Sequence, residues 1–93
     1  MDIQHQQSGS KGSFYIQENK EILAEMTYSR AGEKLIIIDH TEVSDQLRGQ
    51  GAGKKLVTAM VEWARTNDMK VMPLCPFANA IFKRDSSIQD VLK

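Results

Sequence analysis

The sequence predicts an α+β fold in which a mixed, mostly antiparallel sheet is joined by helices. Three strand-like segments come first, a helical segment follows, and a short apolar strand comes after it. Strands joined by short turns pair antiparallel, whereas a strand, a helix and a strand in succession form a right-handed crossover with parallel strands. We therefore expect a three-stranded meander that is extended by one parallel strand.

The three strands of the predicted meander are residues 13–18, 20–30 and 35–43. Apolar and polar residues alternate in the first two, which is the pattern of strands with one buried face. The third begins with four consecutive apolar residues and is expected to lie at the centre of the sheet. The apolar positions that share one face in the first two strands are Phe14, Ile16, Ile22, Ala24, Met26 and Tyr28.

The second half of the chain reads as helix, strand and helix. Residues 54–66 carry apolar side chains at helical spacing, and residues 70–74 form a short apolar strand. Pro76 suits the first turn of a helix over residues 77–84, and residues 86–93 have the pattern of a final short helix. The apolar stripe of the first helix is Leu56, Met60, Trp63 and Ala64.

Length and composition favour one small domain. The chain has 93 residues, and we expect residues 1–12, which are polar and rich in Gln, Ser and Gly, to be a flexible tail before a single domain over residues 13–93. Twelve basic and twelve acidic residues give no charge excess that would favour nucleic acid. A lone cysteine indicates a reducing compartment, and no apolar run is long enough to cross a membrane. The expected location is the cytoplasm.

A glycine-rich segment before the first helix predicts an anion site. Glycines at 49, 51 and 53 allow tight turns, and a helix N-terminus presents unpaired amides to phosphate. The P-loop pattern fails, because Arg48 stands where its first glycine belongs and Lys55 replaces its Ser or Thr. The dinucleotide fingerprint fails as well, since its last glycine would fall on Lys54 or Leu56.

What is left is the pattern Arg-x-x-Gly-x-Gly over residues 48–53, which resembles the acyl-CoA-binding loop of the GCN5-related N-acetyltransferases. With residues 39–43 upstream, residues 74–77 downstream and the short length, the chain resembles the minimal single-domain subfamily, which lacks the usual N-terminal strand and helices. The resemblance covers residues 14–90. It implies acetyl-CoA or CoA as cofactor, an amine acceptor, and transfer of an acetyl group to that amine.

The resemblance also implies where the cofactor lies. Loop amides would hold the pyrophosphate, and strand amides near Thr41 and Val43 would pair with the pantetheine arm between two separating strands. Lys54, Lys83 and Arg84 are candidates for the 3′-phosphate. The positions assigned to the cofactor are Thr41, Val43, Arg48, Gly49, Gln50, Gly51, Ala52, Gly53, Lys54, Asn79 and Lys83; we assign no metal site.

Three side chains are candidates for catalysis. His40 is the natural general base, because a histidine titrates near neutral pH, although a lone strand histidine is often a surface residue. Glu42 shares its face by strand alternation and is an alternative base or an orienting group, whereas Asp39 points to the other face. Cys75 ends the parallel strand just before Pro76, where a helix N-terminus lowers a thiol pKa. It is either a transient acyl acceptor or a small core residue.

The chain departs from the family in one respect that bears on function. Many members carry a tyrosine on the helix after the parallel strand, as the acid that protonates the leaving thiolate, and residue 82 is a phenylalanine here. The alternatives are therefore an acetyltransferase, a CoA-binding module with little catalysis, and an interaction domain whose loop holds nothing. The missing N-terminal region would leave the acceptor groove shallow or open, which suits a protein or peptide amine, a bulky acceptor, or completion of the site by a second chain; a small-molecule amine and a protein lysine or N-terminus both stay open as acceptors. The sequence predicts no oligomeric state.

Overall fold

The computed structural model describes residues 2–93 and shows one five-stranded sheet with two helices. The strands lie in the order in which they occur in the chain. The elements are β1 (Gln4–Ser8), β2 (Lys11–Glu18), β3 (Glu21–Arg30), β4 (Leu35–Val43), α1 (Ala52–Thr66), β5 (Lys70–Pro73) and α2 (Pro76–Arg84), with short 3-10 turns over Asp45–Leu47 and Ser86–Val91.

The predicted fold class is confirmed. Strands β1 to β4 pair antiparallel in sequence, and β5 returns through α1 to pair parallel with β4. Helix α1 packs across β2 to β5, and α2 packs against α1, β4 and β5. The last predicted helix is a 3-10 segment whose apolar residues Ile88 and Val91 are buried as expected. None of the helices in residues 2–93 has the length and apolar character that a membrane span requires.

The N-terminal region differs from the prediction of a flexible tail. Gln4–Ser8 forms an edge strand on β2, so the antiparallel part has four strands rather than three. The His5 ring stacks on Phe14 with centroids 4.0 Å apart, and its Nε2 lies 2.6 Å from the Tyr28 hydroxyl oxygen. A polar strand held by the contacts of one ring leaves almost no periodic signal in the sequence. Met1 lies outside the described residues.

Two irregularities shift the alternation of the central strands. Leu23 is an extra residue in β3 opposite β2, and as a result Leu23 is buried while Ile22 is 49% exposed. The prediction that Ile22 faces the core is therefore wrong. Asp39 is an extra residue in β4 opposite β3, since Thr27 pairs with His40 and Tyr28 pairs with Ile38. Beyond this bulge the inward and outward positions of β4 are exchanged.

The core lies between the sheet and the two helices. The predicted stripe of α1 is buried at Leu56, Met60 and Ala64, whereas Trp63 is only partly buried and contacts His5 at the edge of the core. Ile36 and Ile38 of β4 and Phe82 of α2 are almost completely buried. Among residues 2–93, no helix covers the opposite face of the sheet, which is mainly polar.

Candidate functional site

Strands β4 and β5 separate beyond Ile38. Their parallel pairing ends with Ile38 and Pro73, and the amides of Leu74 and Cys75 both donate to the Ile38 carbonyl at 3.2 Å. The chain then enters α2, so the edge of β4 beyond this point faces an opening. This is the strand separation that the resemblance implied, and the structure shows it.

The open edge of β4 presents two amides. The Ser44 amide donates to the Leu23 carbonyl of β3 at 2.7 Å, which fixes the side to which the amides of this strand point. Because successive amides alternate, those of Val43 and Thr41 point away from β3 and towards the opening. Both residues therefore lie where a ligand could pair with the strand, and their role in binding the cofactor stays a prediction.

The thiol of Cys75 lies inside this opening. Cys75 is 5% exposed, and its Sγ is 3.5 Å from the hydroxyl oxygen of Thr41. Burial alone would raise the pKa of the thiol, but hydrogen bonds from the Thr41 side chain and from the backbone amides of Ala78, Phe77 and Thr41 lower it below its ordinary value. The side chain is both a buried residue and a thiol whose anion the first turn of α2 stabilises.

His40 and Glu42 lie on the outer face of β4. The Nε2 atom of His40 is 3.0 Å from Oε1 of Glu42, and both side chains are largely exposed. The prediction that Asp39 points to the other face is wrong, because Asp39 is the extra residue of the bulge; it is exposed and accepts a hydrogen bond from the Ser29 hydroxyl on the outer face at 2.7 Å. The structure thus brings His40 and Glu42 together, whereas Cys75 lies on the inner face with Thr41. The site has a polar side and a buried side, divided by the backbone of β4.

The glycine loop supplies free amides at the start of α1. Gly51 is the N-terminal cap of α1 with φ +71°, and it carries no side chain that satisfies the first amides of the helix. Gly49 has φ +78°, so both glycines adopt a conformation that other residues disfavour. The amides of Ala52, Gly53 and Lys54 have no partner within the helix. A depression of about 420 Å³ next to the loop extends from Val43 to Ile81.

Gly53 is required for a different reason. A Cβ atom at this position would collide with the ring of Phe77 on α2, which packs directly on the α1 backbone. Phe77 is 45% exposed and lines the loop depression together with Ile81. The last glycine of the motif therefore allows the two helices to approach, and Phe77 forms a wall of the candidate cofactor groove. No pattern in the sequence indicates this contact.

The predicted basic residues are not all directed at the groove. Arg48 and Lys54 both line the loop depression, where Arg48 pairs with Asp45 at 2.8 Å and Lys54 lies 3.7 Å from Asp85. Lys54 and Arg84 line one depression between α1 and α2, which does not include Lys83. The assignment of Lys83 or Arg84 to the 3′-phosphate stays a prediction.

Two other residues assigned to the cofactor have different surroundings. Gln50 does not line the loop depression, and its side chain donates to the Gln46 carbonyl. The Asn79 amide donates to the Cys75 carbonyl at 2.9 Å and so belongs to the first turn of α2.

Taken together, a mixed sheet whose parallel strands separate above a glycine-rich helix N-terminus defines an acyl-CoA N-acyltransferase fold. The profile of the GCN5-related N-acetyl-transferase family matches residues 13–91. The chain belongs to this family.

Relatives and solved structures agree with that assignment. Protein NATD1 of Xenopus tropicalis is 31% identical over 62 residues, which are 67% of this chain and 57% of NATD1. The chain spans little more than half the length of the curated relatives it matches. The NMR structure of a GCN5-like protein from Staphylococcus aureus is 44% identical, with a TM-score of 0.76 over 97% of this chain and 87% of that one.

A more distant match contains a cofactor analogue. AAC(6')-Iy, in complex with the bisubstrate analogue CoA-S-monomethyl-acetylneamine, is 13% identical with a TM-score of 0.56, over 87% of this chain and 62% of that one. At this identity the match shows a shared fold.

Proposed function

We propose that the protein transfers an acetyl group from acetyl-CoA to an amine. The observation that carries the proposal is the opening between β4 and β5, which gathers the Thr41 and Val43 amides and the Cys75 thiol, while His40 lies on the outer face of the same strand. The opening continues into the loop depression, because Val43 lines that depression as well. One continuous groove therefore joins the free amides at the start of α1 to the Cys75 thiol.

The fit to acetyl-CoA rests on three features of this chain. Free amides at the start of α1 suit the pyrophosphate, and the open edge of β4 suits an added strand of amide groups. Phe77 gives the groove an apolar wall. The bisubstrate complex of AAC(6')-Iy supports the proposal, since in that protein the fold holds a CoA moiety joined to an amine.

Each of the residues has a distinct task in the proposed reaction. Bound acetyl-CoA supplies the thioester carbonyl that the amine attacks. The Thr41 amide, which donates to the Cys75 sulfur in the free protein, would turn to an oxygen in the opening, where oxyanion charge would develop. His40 is placed to accept the proton that the attacking nitrogen loses, and Glu42 orients its ring at 3.0 Å. The Cys75 thiol would give a proton to the departing sulfur. In many family members a tyrosine on α2 has that task, and residue 82 is a phenylalanine here.

A CoA-binding module with little turnover is the second candidate function. Phe82 is 1% exposed in the core, so α2 presents no hydroxyl to the opening. His40 and Glu42 are also exposed to water, which weakens electrostatic catalysis at their side chains. In that case the groove would bind CoA, and the protein would act as a sensor or interaction domain that responds to whether CoA is bound.

Two measurements separate these candidates. Calorimetry with CoA and acetyl-CoA should show binding, and its absence at millimolar ligand would exclude both functions. Mass spectrometry of products from a panel of amines then tests for transfer. His40→Ala should keep CoA affinity within a few-fold and lower transfer by roughly 100-fold, the usual effect of losing a general base. Binding without any acetylated product would favour the module.

A further inference from the structure

A carboxylate lies among the cations where α2 ends. A depression of about 360 Å³ between α1 and α2 is lined by Lys54, Ile81, Arg84 and Asp85. Lys54 and Ile81 also line the depression of the glycine loop, so the two depressions adjoin. The candidate cofactor groove therefore extends to two cations and one carboxylate, and the carboxylate has no role in the proposed transfer.

Asp85 provides a fixed negative charge at this place. Its side chain is 24% exposed, and its Oδ1 accepts hydrogen bonds from the amide and the hydroxyl of Ser87. The hydroxyl and the amide of Ser87, together with the nearby ammonium of Lys54, hold the pKa of the Asp85 carboxyl below its ordinary value. The carboxylate is therefore ionised at neutral pH, and turning it away from the depression would break its contacts with Ser87.

Lys54 is the cation that this carboxylate engages. Its Nζ lies 3.7 Å from Oδ2 of Asp85, and the lysine side chain is 65% exposed. This distance is long for a charge-assisted hydrogen bond, and an exposed ion pair of this kind contributes little free energy. A second anion that enters the groove can therefore compete with Asp85 for the ammonium group of Lys54.

Arg84 supplies the second cation of the depression. It is exposed and forms no ion pair within residues 2–93. A phosphate in the depression would thus meet one free guanidinium and one ammonium that Asp85 already compensates. The carboxylate also repels the phosphate directly, because any anion close to Nζ of Lys54 is close to Oδ2 of Asp85 as well.

We propose that Asp85 is a specificity-determining residue for the cofactor: it competes with the 3′-phosphate of CoA for Lys54 and so limits the preference for CoA over forms that lack this phosphate. This inference rests on the proposed binding of acetyl-CoA and names the group by which the protein discriminates between cofactors. Both forms carry the pyrophosphate that the loop amides would hold, so the pyrophosphate does not discriminate. The contact between Lys54 and Asp85 breaks when the 3′-phosphate binds and persists when the ligand lacks it.

The test compares CoA with dephospho-CoA, which differ only in the 3′-phosphate, and measures their affinities for the wild type and for Asp85→Asn by calorimetry. Asparagine keeps the oxygen that accepts the hydrogen bonds from Ser87 but removes the charge. The variant should bind CoA about three- to fivefold more tightly than the wild type does, the size expected for one exposed ion pair. Its affinity for dephospho-CoA should be unchanged, and the gain for CoA should shrink as salt is added.

Two further variants complete the test. Asp68→Asn is the matched control, because Asp68 is an exposed carboxylate 3.1 Å from Nζ of Lys34, at the opposite end of α1 from the glycine loop. It removes a carboxylate that pairs with a lysine and changes the net charge equally, and it should change neither affinity. The double variant Asp85→Asn with Lys54→Gln should lose the gain for CoA, because the ammonium that Asp85→Asn frees is then absent.

Failure of this inference can be told from failure of the proposed function. If both ligands bind but Asp85→Asn binds CoA no more tightly, gains equally for both ligands or keeps its gain in the double variant, the inference is overturned and the proposed function stands. If the predicted changes in affinity occur but no amine is acetylated, the role of Asp85 stands and the transferase proposal fails. If neither ligand binds to the wild type, both proposals fail.

Discussion

The sulfur of Cys75 lies 3.5 Å from the hydroxyl oxygen of Thr41, across the opening at which β4 and β5 separate. The bulge at Asp39 makes this contact possible, because it exchanges the faces of the strand beyond it. In a regular strand, His40 would follow Ile38 onto the core face and Thr41 would point outwards. One extra residue therefore creates both the thiol environment inside the sheet and the His40–Glu42 pair outside it.

Thr41→Val should raise the pKa of the Cys75 thiol. Valine has nearly the same shape as threonine but removes a hydrogen bond that favours the thiolate. Since the pKa of the wild-type thiol is lowered, its thiolate should form at lower pH than in the unfolded chain, and the variant should need higher pH. Ultraviolet absorbance of the thiolate, followed during a pH titration, measures this. Thr27→Val, on the outer face, is the control, and identical titrations for the two variants would contradict the prediction.

Gly51→Ala should weaken CoA binding through the backbone. The space around a Cβ at residue 51 is open, so the cost comes from φ +71°, about 1–2 kcal/mol for a residue with a side chain. Relief of that strain would turn the amides at the start of α1 away from the ligand. Gly32→Ala, with φ +84° in the turn between β3 and β4, should cost similar stability without affecting CoA. Calorimetry of both variants tests this, and equal loss of affinity would argue against a specific role for the loop.

Gly53→Ala should act through Phe77 instead. A Cβ at residue 53 would displace the ring and separate α1 from α2, and overpacking of this kind usually costs about 1–3 kcal/mol. Phe77→Leu, which is smaller, should therefore be less harmful in the Gly53→Ala background than alone. A double-mutant cycle on the free energy of unfolding measures the coupling. Additive effects would mean that the ring does not occupy the space assigned to it.

The sequence was sufficient for the fold class because its signals are local. The glycine loop, the stripe from Leu56 to Ala64 and the apolar start of β4 each follow from neighbours a few residues apart. The crossover rule then orders β4 and β5 without further information. The prediction that His40 and Glu42 share a face is confirmed for the same reason, because the two residues lie two positions apart on one strand.

What the sequence could not predict depends on contacts between distant residues. The His5 ring contacts the Tyr28 hydroxyl, which lies 23 residues further along the chain. A polar strand held by such a contact has the sequence pattern of a flexible tail. The bulges at Leu23 and Asp39 shift the register against a neighbouring strand, which no pattern within one strand reveals. The contact between Gly53 and Phe77 joins two helices that are separated in the chain by β5.

The stability of the protein should fall as the pH drops through the ordinary range of histidine. Burial lowers the pKa of His5, so the unfolded chain binds a proton more readily than the folded one. The stabilising effect of the neutral ring is complete above about pH 6.5 and is lost as the pH falls towards the lowered value. His5→Phe keeps an aromatic ring against Phe14 and should flatten this dependence between about pH 5 and pH 8. Urea unfolding measures it, and parallel curves for both proteins would refute it.

The last prediction concerns the part that Cys75 plays in acetyl transfer. Its low exposure and hydrogen bonds suit a thiol that packs beside the cofactor and donates a proton, and direct attack by the amine needs only positioning and one base. We therefore expect Cys75→Ser, which replaces the thiol with a hydroxyl that can still donate a proton, to retain more activity than Cys75→Ala. The affinity for CoA should be nearly unchanged in both variants. An obligatory acyl-cysteine would instead abolish turnover in both variants. It would also give the wild type an acetyl mass increase on Cys75, removable by hydroxylamine, together with a burst of free CoA equal to the enzyme concentration before any amine is added. Mass spectrometry and a thiol assay on acetyl-CoA alone decide between these outcomes.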